Sequence, residues 1–171
     1  HHKQENGCIM GKMIECIIDS IRVSLTNQDR ITVLKEKDSE RYLPIWMGVP
    51  ETDSITIALQ GVAIARPLTH DLLISIMNAL DIHLESCEIT KLENDTFYAN
   101  LILEQNGIRK IIDSRPSDAI ALAIRAKAPI FVDEDILDAV GIRPEDVLPQ
   151  AQNEEESSDV EADLDIFEDF L

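Results

Sequence analysis

Aromatic side chains make up only 4 % of these 171 residues: one Trp, two Tyr and four Phe. A core built from this chain must therefore be aliphatic, made mainly of Ile, Leu, Val and Ala. Cysteine is scarcer still, and Cys8, Cys16 and Cys87 form an odd set with no C-x-x-C pair. That excludes a disulfide framework and a zinc knuckle, and it fits a reducing, cytoplasmic compartment. Cys16 and Cys87 fall in strand-like segments and read as inert packing. No apolar run approaches the ~20 residues that cross a bilayer, and no signal peptide is recognisable, so no membrane partner is expected. GxGxxG, P-loop, GxSxG and HExxH patterns are all missing, and no organic cofactor is expected.

Positive charge is the other shortage. Fifteen Lys and Arg face 33 Asp and Glu, a net charge of −18. Nine of those acids lie after Asn153 with no base among them, so residues 1–152 carry 24 acids against 15 bases, a net −9. An acidic body repels phosphate backbones at long range and disfavours a nonspecific basic-surface nucleic-acid binder. A compact phosphate site built from a few arginines is compatible with it.

What is present is a repeated pattern. Residues 1–12 read as a tag remnant or leader. Ile21, Val23 and Leu25 alternate against polar neighbours, which predicts a first strand, and "RITVLKE" and "RYLPIWMG" predict two more. Pro50 then opens a helix that closes near Gly61. A linking helix over 68–80 follows, with Leu72, Ile76 and Leu80 on one stripe. Strands near 83–92, 96–104 and 108–113 come next, the last two joined by the hairpin signal Asn106-Gly107, and Pro116 opens another helix. The two helices align from Asp53 and from Asp118, each after three strands. This predicts an α+β fold: an internal duplication of two β-β-β-α units with a largely antiparallel sheet and a linking helix. Trp46 is expected in the core, with its N–H finding a partner. "APIFV" predicts a short buried strand, and Asp133 caps a brief helix. Residues 13–140 form the domain and 141–152 an extension. The acidic tail 153–171 places Val160, Leu164, Phe167 and Leu171 at helical spacing, predicting an amphipathic helix that docks on this chain or a neighbour.

Three Arg-Pro corners with a following acid stand out: Arg66-Pro67 with Asp71, Arg115-Pro116 with Asp118, and Arg143-Pro144 with Asp146. Proline presets the first helical turn, Thr69 and Ser117 are good N-caps, and early aspartates oppose the helix dipole, so capping alone explains much of this. The same positions suit phosphate. Helix N-termini offer free N–H groups, and an arginine there adds a bidentate fork. His70 is placed for proton transfer near neutral pH. Asp71, Asp113 and Asp118 are oxygen ligands of the kind Mg²⁺ takes, although no HxH or DxD spacing accompanies them.

"RYLPIWMG", "ARPLTHDLL", "TFYANL" and "IDSRPSDAIALAIRAKAPIFV" together resemble the bifunctional nuclease family, in the family's order, over residues 13 to about 140. The resemblance implies an α+β domain that self-associates, and a nuclease activity acting on DNA and RNA, with nucleic acid as the partner. Carried over residue by residue, the family's polar signature falls on Arg66, Thr69, His70 and Asp71, and on Asp113, Arg115, Ser117 and Asp118. By their chemistry, Arg66, Thr69, Arg115 and Ser117 would bind substrate. His70, Asp71 and Asp118 would be catalytic, and Asp113 with Asp71 would hold a divalent cation, Mg²⁺ or Mn²⁺. Two departures are specific to this chain. Thr52-Asp53-Ser54 follows Glu51 where the family usually has small alanines, and the acidic tail lies outside the family pattern. The alternative is a non-catalytic module in which the Arg-Pro corners clamp an anionic ligand or a protein partner.

Overall fold

The computed structural model describes residues 11–146 and the backbone of Phe167–Asp169. Three strands, β1 (Met13–Ser24), β2 (Arg30–Glu36) and β3 (Tyr42–Met47), lead into helix α1 (Val49–Gln60). Helix α2 (Thr69–Ala79) then links to β4 (His83–Glu93), β5 (Thr96–Gln105), β6 (Ile108–Ser114) and helix α3 (Pro116–Ala126). β7 (Ile130–Asp133), α4 (Glu134–Val140) and β8 (Phe167–Asp169) follow. The fold is α+β, with a mostly antiparallel sheet in the order β3-β2-β1-β7-β4-β5-β6. Both β-β-β-α runs are present, and the order reads the same from either end about β7. Helices α1 and α3 also share their punctuation. Each starts with Pro in the first turn and ends on a left-handed residue, Gly61 at φ 61° and Lys127 at φ 54°.

The "APIFV" segment becomes the centre of the sheet. β7 runs antiparallel to β1 and parallel to β4, with Ile130 and Val132 buried between them. Strands on both edges pair its backbone, and the alternation buries Ile130 and Val132 on one face while Phe131 and Asp133 stay half-buried on the other. Helix α3 lies over the core with Ala119 through Ala123 all buried, and its alanines let α1 approach closely. Leu34, Leu43, Ile55, Ile89, Ile120 and Leu137 complete an aliphatic interior. Burial pushes the thiols of Cys16 and Cys87 up to about 12, so both are poor nucleophiles inside that core. Arg41 is buried and satisfied by Glu36 at 3.0 Å and Asp138 at 2.6 Å, tying the β2–β3 turn to α4.

Two expectations are corrected, on Trp46 and on Phe167–Asp169. Trp46 is 63 % exposed. It follows Leu43 and Ile45, which are buried, and alternation along β3 turns its side chain the other way. The expected stripe Leu72, Ile76 and Leu80 is on one face of α2, the face toward solvent, while His70, Ile74 and Met77 turn toward the interior. Phe167–Asp169, placed in a helix by spacing, is extended and pairs with Arg22–Ser24 of β1. β7 covers only Met13–Cys16 on that side, so the far end of β1 presents an open edge for β8 to pair with. The rest of the acidic tail lies outside the described residues, as does the leader through residue 10. No helix among the described residues is long and apolar enough to cross a membrane.

Candidate functional site

Three helix starts meet at one cleft. Gly48, Leu68 and Arg115 are the residues before α1, α2 and α3, and each is extended, as residues next to a helix entry are. Pro50 and Pro116 then fix φ for the first turns of α1 and α3. The cleft between these starts holds about 450 Å³. α1 contributes Glu51 and Ser54, α2 contributes Thr69 and His70, and the start of α3 contributes Arg115 and Asp118.

A continuous hydrogen-bonded line runs through it. His70 is 7 % exposed. Its Nδ1 lies 2.6 Å from Ser54 Oγ and its Nε2 lies 2.9 Å from Asp118 Oδ1. An ionised carboxylate only accepts, so Nε2 carries a proton toward Asp118. With His70 neutral, Nδ1 then accepts from the Ser54 hydroxyl. Behind Ser54 stands Arg125, whose NH2 donates to Ser54 Oγ at 3.1 Å and to the Ser54 carbonyl at 3.2 Å. Arg125 Nε donates to Asp71 Oδ1 at 2.8 Å, and the other oxygen of Asp71 accepts the Leu68 N–H at 2.9 Å. On the solvent side Arg115 donates from Nε to Asp118 Oδ2 at 2.9 Å and from NH1 to Glu51 Oε1 at 3.0 Å. A longer bond from its NH2 reaches Asp118 Oδ1 at 3.3 Å.

These contacts set the charges. Burial works to raise the Asp118 carboxyl, but hydrogen bonds from Arg115 and His70 outweigh it and hold the group below the ordinary carboxylate range. Asp71 is likewise lowered: burial opposes, while Arg125 and the Leu68 N–H prevail. Both shifts have the same sign in linkage. A carboxyl with a depressed folded value stabilises the fold above its unfolded value, about 3.9 for Asp. That contribution disappears as pH falls through the folded value. Asp71→Asn is therefore expected to lower stability at neutral pH and flatten its fall at acid pH, read from urea midpoints taken between about pH 2 and 6. Parallel acid limbs for variant and wild type would refute the linkage.

The cleft gathers Thr69, His70, Arg115 and Asp118 of the expected residues. Ser117 is buried and borders an adjoining hollow with Arg115. Thr69 and Ser117 are first-turn residues, not N-caps, and their side chains make no capping bond. Arg66 is exposed, lies off the cleft, and has no ionic partner among the described residues. Asp113 is exposed on β6 opposite Asn100. Asp71 is turned away from the cleft to Arg125. Three participants were not singled out from the sequence. Ser54 sits in the polar Thr-Asp-Ser departure, Glu51 lies in the first turn of α1, and Arg125 stands seven residues after Asp118, on the same helix face.

A family model described as the bifunctional nuclease domain matches residues 32–145. The chain belongs to this family. A Mycobacterium tuberculosis protein described as uncharacterized is 38 % identical over 160 residues, covering 93 % of this chain and 93 % of that protein. Bifunctional nuclease 1 of Oryza sativa subsp. japonica is 32 % identical over 135 residues, which is 74 % of this chain and 40 % of the rice protein. Bifunctional nuclease 1 of Arabidopsis thaliana is 30 % identical over 115 residues, 65 % of this chain and 35 % of that protein. The chain thus spans well under half the length of the plant relatives.

Within this bifunctional nuclease domain, the donors expected for a divalent cation do not fit one. Among the described residues no group of three or more His, Cys, Asp or Glu is arranged to hold a metal ion. Both oxygens of Asp71 already accept hydrogen bonds, from Arg125 and Leu68, and Asp113 stands apart on β6. No catalytic step is therefore routed through Mg²⁺ or Mn²⁺.

Proposed function

We propose that this chain hydrolyses phosphodiester bonds of DNA or RNA in the cleft between the starts of α1, α2 and α3. The observation that carries this is the Ser54–His70–Asp118 line, which ends beside Arg115. Family membership supports the reaction class. Arg115 engages three of its five N–H donors, which leaves two for a phosphate oxygen. Thr69 adds a hydroxyl at the mouth, and the exposed Arg66 steers the neighbouring phosphates. In the bond-breaking step, a water in the cleft passes a proton to Ser54 Oγ as the Ser54 hydroxyl proton moves to His70 Nδ1. The hydroxide so formed attacks phosphorus. The bond to the leaving oxygen breaks, that oxygen takes a proton from solvent, and the proton on His70 Nδ1 returns to solvent through Ser54, which restores the neutral ring. Asp118 holds the ring in place and balances the imidazolium. Asp71 acts at one remove, through Arg125 on Ser54.

The second reading, a non-catalytic anion- or protein-binding module, is favoured by the two carboxylates already paired with Arg115 and by the net charge of −18. One assay separates the two. Purified protein is incubated with single-stranded RNA and DNA, with Mg²⁺, with Mn²⁺ and with EDTA, beside Arg115→Ala and Asp118→Asn. Cleavage lost in both variants supports the nuclease. Cleavage that survives both comes from a contaminant, and binding without cleavage supports the module. Self-association belongs to the same proposal, and a monomer by light scattering at micromolar concentration would remove it.

A further inference from the structure

We infer that Trp46 is a stacking platform for a nucleobase next to the phosphate held at Arg115. This rests on the nuclease reading and adds to it how a strand is gripped. Tryptophan is seldom left open to water, since its large apolar ring gains most from burial. Trp46 is nonetheless 63 % exposed. It is not adrift on a flat surface. It borders a hollow of about 260 Å³ between the end of β3, the β4–β5 turn and the start of α3. Phe97 and Pro116 line the same hollow, together with Arg115 and Glu51, which also line the main cleft. The two spaces therefore adjoin at the Arg115 guanidinium. The hollow is below the roughly 300 Å³ at which drug-sized pockets begin, which suits one flat ring system.

The chemistry of that hollow selects a base over other occupants. An indole face and a phenyl ring beside a guanidinium are what a single-stranded nucleotide uses: stacking for the base, a charged fork for its phosphate. Base stacking is also the binding mode least hindered by an acidic protein. It depends on the aromatic face, whereas backbone contacts must overcome a net charge of −18. Asp95 at the rim adds a hydrogen-bond acceptor for a base N–H. A duplex keeps its bases stacked internally, so this platform serves single strands.

Trp46 is the chain's one tryptophan, so fluorescence excited beyond the absorption of the two tyrosines reports on it alone. The test titrates the full chain, in EDTA, with a short single-stranded oligothymidylate and with an abasic strand of equal length. The base-bearing strand is expected to quench Trp46, and the abasic strand to bind without quenching. In anisotropy with labelled strands, Trp46→Leu should weaken the base-bearing strand roughly 5- to 150-fold and the abasic strand little. Trp46→Phe should restore part of the loss. Because Trp46 is exposed, the melting temperature of either variant should match wild type, which separates this role from a structural one. Equal quenching by both strands, or unchanged affinity in Trp46→Leu, would overturn the platform while leaving the nuclease reading in place. Quenching that follows protein concentration alone would assign the face to a second copy and overturn it too. If neither strand binds wild type, the nucleic-acid reading itself fails.

Discussion

His70→Ala is expected to cut single-stranded RNA or DNA roughly 100- to 10,000-fold more slowly than wild type, the range lost when a general acid–base group is removed. KM should change little, because His70 lies behind Ser54 and Asp118 and touches no phosphate. A buried ring with two partners also supports the fold, so a second variant is needed. Ser54→Ala removes the hydroxyl between the cleft and His70 Nδ1 but leaves Arg125 its bond to the Ser54 carbonyl at 3.2 Å. It should slow cleavage as well, at a smaller cost in stability than His70→Ala, because His70 keeps its bond to Asp118. A Ser54→Ala protein with full activity would exclude the relay. A His70→Ala protein that is folded and fully active would exclude the site.

How much of this was legible before the structure depends on the range of the interactions. Short-range signals held. Asn106 and Gly107 both take positive φ, 53° and 77°, at the β5–β6 hairpin, as that pair predicts. The strand expected near 96–104 is β5, and Pro50 and Pro116 mark the starts of α1 and α3. Strand order was not legible. β7 pairs residues 130–133 with 13–16, a contact that no local pattern encodes. Trp46 shows local alternation prevailing over the burial habit of tryptophan, since Leu43 and Ile45 point inward and turn it outward. At the site, His70 and Asp118 stood out as polar residues at helix starts. Their meeting across 48 positions, and the arrival of Ser54 between His70 and Arg125, follow from how α1, α2 and α3 pack. Arg66 shows the converse. It shares the Arg-Pro pattern of Arg115, yet it lies in the segment before α2 and off the cleft.

Arg125→Met is expected to cost about 3 kcal/mol of stability, the low end of the range for removing one member of a buried ion pair. Arg125 itself is 8 % exposed, but Asp71 is 27 % exposed, so water reaches the abandoned carboxylate and limits the loss. The Ala121 and Ser54 carbonyls, which accept from Arg125 at 2.9 and 3.2 Å, lose that donor as well. For a chain of this size the loss corresponds to a melting temperature lower by roughly 6 to 12 °C. Most of the penalty is the unpaired Asp71, so adding Asp71→Leu should recover part of it, since an apolar pair avoids stranding one charge. Cleavage should then separate the two roles of Arg125. If it serves only the fold, the double variant regains activity along with stability. If it also orients the Ser54 hydroxyl toward His70, the double variant regains its melting temperature and stays slow. The 3.1 Å bond from Arg125 to Ser54 Oγ favours the second outcome. That bond occupies a lone pair of the hydroxyl and directs its proton toward His70 Nδ1.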